Sequence, residues 1–425
     1  MKKLYISGLL VSATIGINAQ VYDVGSFAQM TSVSDNGVAV GNVYGVLHVI
    51  WTEEAGGSVI GEIQNDYIGG MTTVSRDGTT VTGSMTNPST GKDEMSKYDV
   101  ASQTWTYLGG LGNSSGTDTS SAWGASYDAK TIVGLGWTSS GKGHGIKWTE
   151  ANGMQDLGST VTGRSSRANS VSGDGNVVIG WQDSSTGGRQ GVYWKDGQQN
   201  YIKTTAGNHV GEAISVSEDG SVIVGLGLDE NAFYWSATDG YTAIAPLDED
   251  YFGSATAVSS DGKTVLGYFT PYGGMALDGY GFIWTKEKGV VKFDDYVASL
   301  GYDTLGLKFS LPMAISPNGQ YIAGIGLTAD DARGFVIKLP DSTMATNDAK
   351  KAKLSIYPNP TKDFVNISNE GKISNIEIYN MAGQKMNTIS TSNEKKVDVQ
   401  HFEKGSYILK ITNDGKVETL KFIKD

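Results

Sequence analysis

Along most of the chain, small and apolar residues alternate with polar ones, meet a polar turn, and resume as a β-branched run that ends in glycine. In residues 167–180 this reads Arg-Ala-Asn-Ser-Val-Ser-Gly-Asp-Gly-Asn-Val-Val-Ile-Gly, and Gly191-Val192-Tyr193-Trp194 follows after a polar loop. Period-two alternation is the mark of a half-buried strand, and Asp-Gly between two such runs marks a hairpin. The unit recurs seven times. Aligned on the serine before the turn, the copies fall at Ser34, Ser75, Ser126, Ser172, Ser217, Ser259 and Ser316, with gaps of 41, 51, 46, 45, 42 and 57 residues. The turns are Asp77-Gly78, Asp174-Gly175, Asp219-Gly220 and Asp261-Gly262, with Asn36-Gly37 and Asn318-Gly319 as equivalents. Asp-Gly suits a type I′ turn, where both central residues have positive φ. Asp128-Ala129 breaks the pattern, and alanine at positive φ costs on the order of 1 kcal/mol, so a different turn is expected there.

After the hairpin most copies carry a third strand ending in tryptophan: Val49-Ile50-Trp51, Ile146-Lys147-Trp148, Val192-Tyr193-Trp194, Phe233-Tyr234-Trp235 and Phe282-Ile283-Trp284. A fourth follows, as in Met154–Leu157, Tyr241–Ile244 and Val290–Phe293. A period of 40 to 50 residues with four strands per copy predicts a β-propeller of seven blades. Small residues dominate the first strand, where inner strands crowd an axis, and bulky ones the third, where blade faces diverge. The seventh copy stops after its third strand, near Leu339, whereas Val21-Tyr22-Asp23-Val24-Gly25 reads like the fourth-strand sequence Met154–Gly158. That N-terminal strand is expected to close the last blade and remove its open edge.

From 340 to 353 the chain is polar and aperiodic, a linker. Strand-like runs at 354–357, 364–368, 373–380, 385–389, 396–399, 405–412 and 416–423 then predict a small seven-stranded β-sandwich. At the other end, Met1-Lys2-Lys3, an apolar run from Leu4 to Ile17 and Ala19 read as a signal peptide over residues 1–19, too short to span a membrane. No later stretch qualifies as a transmembrane segment. The expected organisation is therefore all-β: signal peptide 1–19, propeller 20–339, linker 340–353 and terminal domain 354–425.

The chain has no cysteine, which excludes disulfides and thiolate metal sites. Residues 350–425 hold 13 lysines against 9 acidic residues, so of the net charge of −12 the remainder of the chain carries −16. Such a field opposes phosphate backbones, and nucleic acid is not an expected partner.

The repeats resemble the extracellular HAF-repeat family, whose motif joins an Ala-x-x-Val-Ser-x-Asp-Gly hairpin to an Ala-Phe-x-Trp strand. Ala213–Gly220 with Ala232-Phe233-Tyr234-Trp235 matches best, and the resemblance spans residues 21–339. It implies export and transfers no catalytic residue. The last segment resembles the C-terminal sorting domain of the type IX secretion system. The matching motifs are Ile356-Tyr357-Pro358-Asn359-Pro360, Ile376–Asn380 with Gly383-Gln384, Lys404-Gly405-Ser406-Tyr407 running on to Ile411, and Lys421-Phe422-Ile423-Lys424. This implies recognition of residues 354–425 by the type IX machinery and a protein secreted or displayed on the outer surface of a Bacteroidetes-type bacterium.

Catalytic signatures are weak. Gly112-Asn113-Ser114-Ser115-Gly116 satisfies Gly-x-Ser-x-Gly without the strand-to-helix elbow, and Gly136–Gly143 approaches a phosphate loop without its terminal Ser/Thr or a following helix. Both read as loops. His48, His144, His209 and His401 lack metal-ligand spacing. Asp248-Glu249-Asp250 and Asp294-Asp295 are the hard-oxygen groups suited to a structural Ca²⁺, with solvated loop acids the plainer reading. No other cofactor is expected.

Connections between second and third strands, and from one repeat to the next, vary in length and share one face of the ring, the natural place for a site. That face would display Trp137, Trp181, Tyr268 and Tyr272, with Asp183 and Arg189 nearby, and Tyr251 and Tyr67 from inter-repeat loops. Aromatic and polar groups together suit a glycan or protein ligand, although aromatics just after a strand-ending glycine also serve as wedges between blades. The expected function is a binding or adhesion module. The alternative is a polysaccharide hydrolase or lyase with carboxylates converging at the channel mouth.

Overall fold

In a computed structural model the chain divides into two compact units, Met1–Pro340 and Asp341–Asp425. The structure describes residues 20–65 and 69–340 and, in the second unit, 355–357, 359–368, 373–380, 383–389, 395–413 and 416–425. The leader 1–19, residues 341–354 and Tyr67 lie outside the described residues.

The first unit is propeller-like. Its described strands form seven antiparallel four-stranded sheets, six of them built from strands consecutive in sequence. Sheets 1 to 6 open with the strands Ala28–Val33, Thr73–Val74, Ser120–Ala125, Ser166–Val171, Glu212–Val216 and Tyr251–Val258. Sheet 7 consists of Lys308–Ile315, Tyr321–Leu327, Ala332–Lys338 and the N-terminal strand Gln20–Ser26, which pairs with Ala332–Lys338 in the register Val21↔Ile337 and Asp23↔Phe335. Each sheet packs on the next, and sheet 7 packs on sheet 1. The third-strand aromatics fill these junctions. Trp284 lies 5.4 Å from Tyr234 and Trp235 5.6 Å from Tyr193 of the preceding sheets, while Trp194 donates its indole N–H to Leu157 O at 3.2 Å.

The repeated turn differs from expectation. In Ser172–Gly175, Gly175 N–H donates to Ser172 O at 2.8 Å, and only Gly175 has positive φ, at 79°. This is a type I turn followed by a left-handed residue, rather than type I′. The cause is the serine, which holds a wider loop: its hydroxyl donates to Asp174 Oδ1 at 2.5 Å and accepts Val177 N–H at 2.9 Å. The third copy keeps the same turn, with Ala129 forced to φ 52°. Neighbouring turns are then linked laterally. Arg76 N–H donates to Tyr127 O, Tyr127 N–H to Gly173 O, Asp174 N–H to Glu218 O and Glu218 N–H to Ser260 O. Ser260 Oγ continues to Pro317 O, and Asn318 Nδ2 returns to Asp35 O, whose own N–H donates to Arg76 O. The chain of bonds passes through all seven turns.

A second repeated feature sets up the site. In six of the seven first strands the pairing skips one residue at the same place, leaving Thr31, Trp123, Asn169, Ile214, Thr256 and Met313 as bulges. The glycine ending each β-branched run stands beside the bulge. A Cβ on Gly180 would fall 1.9 Å from Arg167 O, and one on Gly134 1.8 Å from Ser121 O, so no side chain fits there.

One helix, Phe293–Ser299, departs from the expected loop after sheet 6. Phe293 and Val297, four residues apart, bury one face of it, and Asp294 and Asp295 sit in its first turn, where negative charge is favoured.

In the second unit seven strands match the seven runs in the sequence. Ser355–Tyr357, Phe364–Ser368 and Lys396–Asp398 form one sheet, and Lys385–Ile389, Ile373–Asn380, Gly405–Asn413 and Lys416–Lys424 the other. Val365, Ile367, Ile376, Leu409, Ile411 and Phe422 belong to one buried cluster shared by both sheets.

Candidate ligand-binding cavity

First strands of all seven sheets line a central cavity of about 300 Å³, to which each bulged residue contributes. An extra residue re-aims its side chain, and here the bulges turn side chains toward the axis. Some of these knit the wall: Thr31 Oγ1 donates to Thr72 O at 2.6 Å, Asn169 Nδ2 to Ala213 O at 2.7 Å, and Thr256 Oγ1 to Pro312 O at 2.6 Å, each reaching the next sheet.

The end of the cavity at the serine turns is crossed by side chains. Tyr127 reaches from sheet 3 to Ser260 of sheet 6, with 2.7 Å between the hydroxyl oxygens. Arg76 lies 4.5 Å over the Tyr127 ring and pairs with Glu218 at 2.9 Å and Asp35 at 3.4 Å. Burial pushes the Tyr127 phenol above its ordinary range.

The opposite end carries a charged cluster. Arg167 is the second residue of the first strand of sheet 4, with its guanidinium 3.6 Å from the centroid of Trp123 and 5.3 Å from that of Trp181. It donates to Glu212 Oε1 at 2.6 Å and to Asn169 Oδ1 at 2.7 Å. Asn169 Nδ2 also donates to Glu212 Oε1, at 2.9 Å, and Arg189 donates to Glu212 Oε2 while lying 4.5 Å over Trp181. The Arg167 and Glu212 side chains are only 14% and 12% exposed, whereas Arg189 is 50% exposed. Burial pulls the Arg167 guanidinium down to about 10, opposed by Glu212, so it remains charged at neutral pH. Burial, followed by the Glu212 charge, pushes the Tyr268 phenol up.

Among the residues expected on this face, the structure brings together Trp181 and Arg189, which stack on each other beside Glu212. Trp137, Trp181 and Tyr268 lie within second strands rather than in loops. Trp181 is 7% exposed and its indole N–H has no partner among the described residues, so it is a wedge rather than an open platform. Asp183 faces Arg189 in strand register, while Trp137 pairs with Gly143 and stands apart from the cluster. Tyr272, 59% exposed, stacks on Phe252 at 5.3 Å, and Tyr251 packs on Tyr280 at 5.4 Å. The sequence reading missed Trp123, Arg167, Asn169 and Glu212. Their signal was present as the large, amide or charged residues of three successive first strands, Ser120–Ala125, Ser166–Val171 and Glu212–Val216, that are otherwise mostly Ala, Ser, Gly and Val.

The remaining candidates are structural in character. Asp248 pairs with Lys292 at 3.7 Å, Asp294 accepts Phe309 N–H at 2.8 Å, and Asp250 and Asp295 are exposed. No three metal-ligating side chains converge among the described residues. His48 joins two sheets, with Thr72 Oγ1 and Ser84 O each 2.8 Å from its ring nitrogens. Ser114 accepts from the Lys92 ammonium at 2.7 Å in an exposed loop.

In the second unit the separated motifs meet along the last strand. Asn359 accepts Ile423 N–H at 2.9 Å and donates to Lys421 O at 3.1 Å, and Gly405 pairs with Lys424. Tyr407 is buried, stacks on Phe422 at 5.5 Å and donates to Glu403 O at 2.9 Å. Tyr357 and Pro360 are exposed, and Pro358 lies outside the described residues.

Residues 355–425 match the family model described as a secretion system C-terminal sorting domain. A type IX sorting tail of this kind indicates a secreted or cell-surface protein of a Bacteroidetes-type bacterium. Compared with curated proteins, the chain matches none significantly. Among solved structures it is similar to the oligogalacturonate lyase of Vibrio parahaemolyticus, at 12% identity over 77% of this chain and 93% of that one, with a TM-score of 0.48. The β-propeller domain of the Trilobed protease from Pyrococcus furiosus gives 11% identity over 75% and 95%, with a TM-score of 0.47. A chain of the Mitotic Checkpoint Complex gives 16% identity over 80% and 97%, with a TM-score of 0.45. No helix among the described residues is long and apolar enough to cross a membrane.

Proposed function

We propose that residues 20–340 form a closed seven-bladed propeller that is exported through its sandwich-folded tail and binds an extracellular ligand at the mouth of the central cavity. The observation that carries this reading is the Trp123–Arg167–Glu212–Arg189 cluster. It sets Trp123, Arg167 and Glu212 in the cavity lining, with Arg189 and Trp181 packed on them, at one end of a cavity whose other end is crossed by Tyr127 and Arg76. Pockets of about 300 Å³ with a few convergent polar groups are typical of small-ligand sites.

Binding is favoured over hydrolysis. Glycoside hydrolysis by the usual route needs two carboxylates a few Å apart, and among the described residues lining the cavity Glu212 is the only one, already held by two arginines. The test is to incubate the mature full-length protein with panels of glycans and peptides, scoring binding and turnover together. A bound ligand whose affinity falls by about tenfold or more in Trp123→Ala, at a similar melting temperature, supports the cavity reading. Release of a cleaved product would favour the hydrolase or lyase, and binding indifferent to Trp123 would move the site elsewhere.

A further inference from the structure

We infer that the cavity mouth selects a small hydroxylated ligand bearing a single oxyanion, a sugar carrying a carboxylate or a sulfate. The inference rests on the cavity being the ligand site and adds its chemistry. Three of the chain's five arginines, Arg164, Arg167 and Arg189, belong to sheet 4 or the connection entering it, although the chain is acidic overall. Arg164 is tied down by donating to Ser185 O. Trp123 and Trp181 cover the guanidinium faces of Arg167 and Arg189, which leaves their N–H edges to make hydrogen bonds. A guanidinium offers five N–H donors in a planar fork matched to two oxygens.

The donor and acceptor inventory is lopsided. Glu212 is the one carboxylate in the cavity lining, shared by Arg167, Asn169 and the rim residue Arg189, which also faces Asp183 across the strand pair. Arg189 is half-exposed and donates through Nη1 alone, so most of its fork is free. Deeper in, Ser32 Oγ and Ser215 Oγ each accept one backbone N–H, from Val74 and Val258 at 3.2 Å, and keep their own hydrogens to donate. A site rich in donors and short of acceptors is complementary to an anion with oxygens along its body, not to a cation or an apolar group.

Far-field charge restricts the ligand further. A polyanion would be opposed by the −16 carried outside residues 350–425. A single anionic group is opposed far less, because screening over roughly 8 Å damps the repulsion from distant charges while the Arg189 contact is direct.

Calorimetry on the mature full-length protein with D-glucose, D-glucuronate and D-glucose 6-sulfate tests this. The carboxylate or the sulfate should bind at least about tenfold tighter than glucose, and the comparison of the two acids identifies the oxyanion. That advantage should vanish in Arg189→Ala and be only partly kept in Arg189→Lys, which holds the charge but loses the fork. Equal affinity for glucose and both acids, lost in Trp123→Ala, would overturn the inference and leave the cavity reading intact. Binding of an acid that neither Arg189→Ala nor Trp123→Ala alters would sink both. No binding of either acid up to about 10 mM would overturn the inference outright.

Discussion

Ala129 takes the place that Gly37, Gly78, Gly175, Gly220, Gly262 and Gly319 hold in the other six turns, and at φ 52° it bears a strain those glycines do not. Left-handed backbone costs an L-residue roughly 1–2 kcal/mol, offset in part because glycine loses more entropy on folding. Ala129→Gly should therefore stabilise the protein by about 0.5–1 kcal/mol. The reverse change is worse, since a Cβ on Gly220 would lie 2.4 Å from Val177 Cγ2 in addition to the strain at φ 72°. Gly220→Ala should cost about 2 kcal/mol or more. Denaturant unfolding of the two variants decides it, and a loss of stability in Ala129→Gly would mean that the alanine packs well enough to outweigh its backbone. The sequence located this turn and its exception, but not its type. Asp-Gly alone favours type I′, and it was the serine hydroxyl bonding to Asp174 and Val177 that selected the wider loop.

Strands were the most legible elements. All seven runs in the tail became strands, as did the four-strand repeats, because period-two patterning and turn residues agree locally. The bulges were readable too, since a glycine inside a strand at a fixed place marks one. That signal would have pointed to Trp123 and Asn169 as side chains turned toward the axis. The helix Phe293–Ser299 was not readable, its Phe293/Val297 spacing being too short to stand out from the strand before it. His48 gives this scale its prediction. Its imidazole is fully buried between sheets 1 and 2, and burial lowers its pKa below 6.5. The unfolded chain then takes up a proton that the folded one refuses, so the stabilisation is complete above pH 6.5 and declines as pH falls toward the folded pKa. The upper part of this window, just below pH 6.5, lies above the carboxylate range. The melting temperature should drop from about pH 7.5 to 5.5 in the native protein, and more steeply than in His48→Gln. Parallel profiles for the two would show that other groups carry the dependence.

At the scale of the molecule, the cavity cluster was beyond reading because Trp123, Arg167, Arg189 and Glu212 come from three different sheets and converge only when those sheets pack around one axis. Export was legible, because its motifs lie in one short segment. Deleting residues 355–425 should leave the protein in the periplasm of its host, and efficient export of the truncated chain would refute the role of the tail. Closure is the property on which the cavity depends. Gln20–Ser26 is the outer strand of sheet 7: Val21 is buried with Phe335 and Ile337, Tyr22 lies 5.1 Å from Trp51 of sheet 1, and Arg333 donates to Asp23 at 2.7 Å and Ser26 at 2.9 Å. Removing residues 21–26 behind the leader strips a whole ladder from Ala332–Lys338. Loss of the Val21 side chain alone is worth about 1.5–3 kcal/mol, and the bared edge invites pairing between molecules. We expect a loss of several kcal/mol and a shift toward aggregates in size-exclusion chromatography. Arg333→Ala separates the ladder from the ion pair, since a partly exposed pair contributes under about 1 kcal/mol. If the deletion melted no lower than Arg333→Ala and stayed monomeric, the seventh sheet would hold without its N-terminal strand, and the ring would owe its closure to the turn-to-turn hydrogen bonds from Asp35 through Asn318 instead.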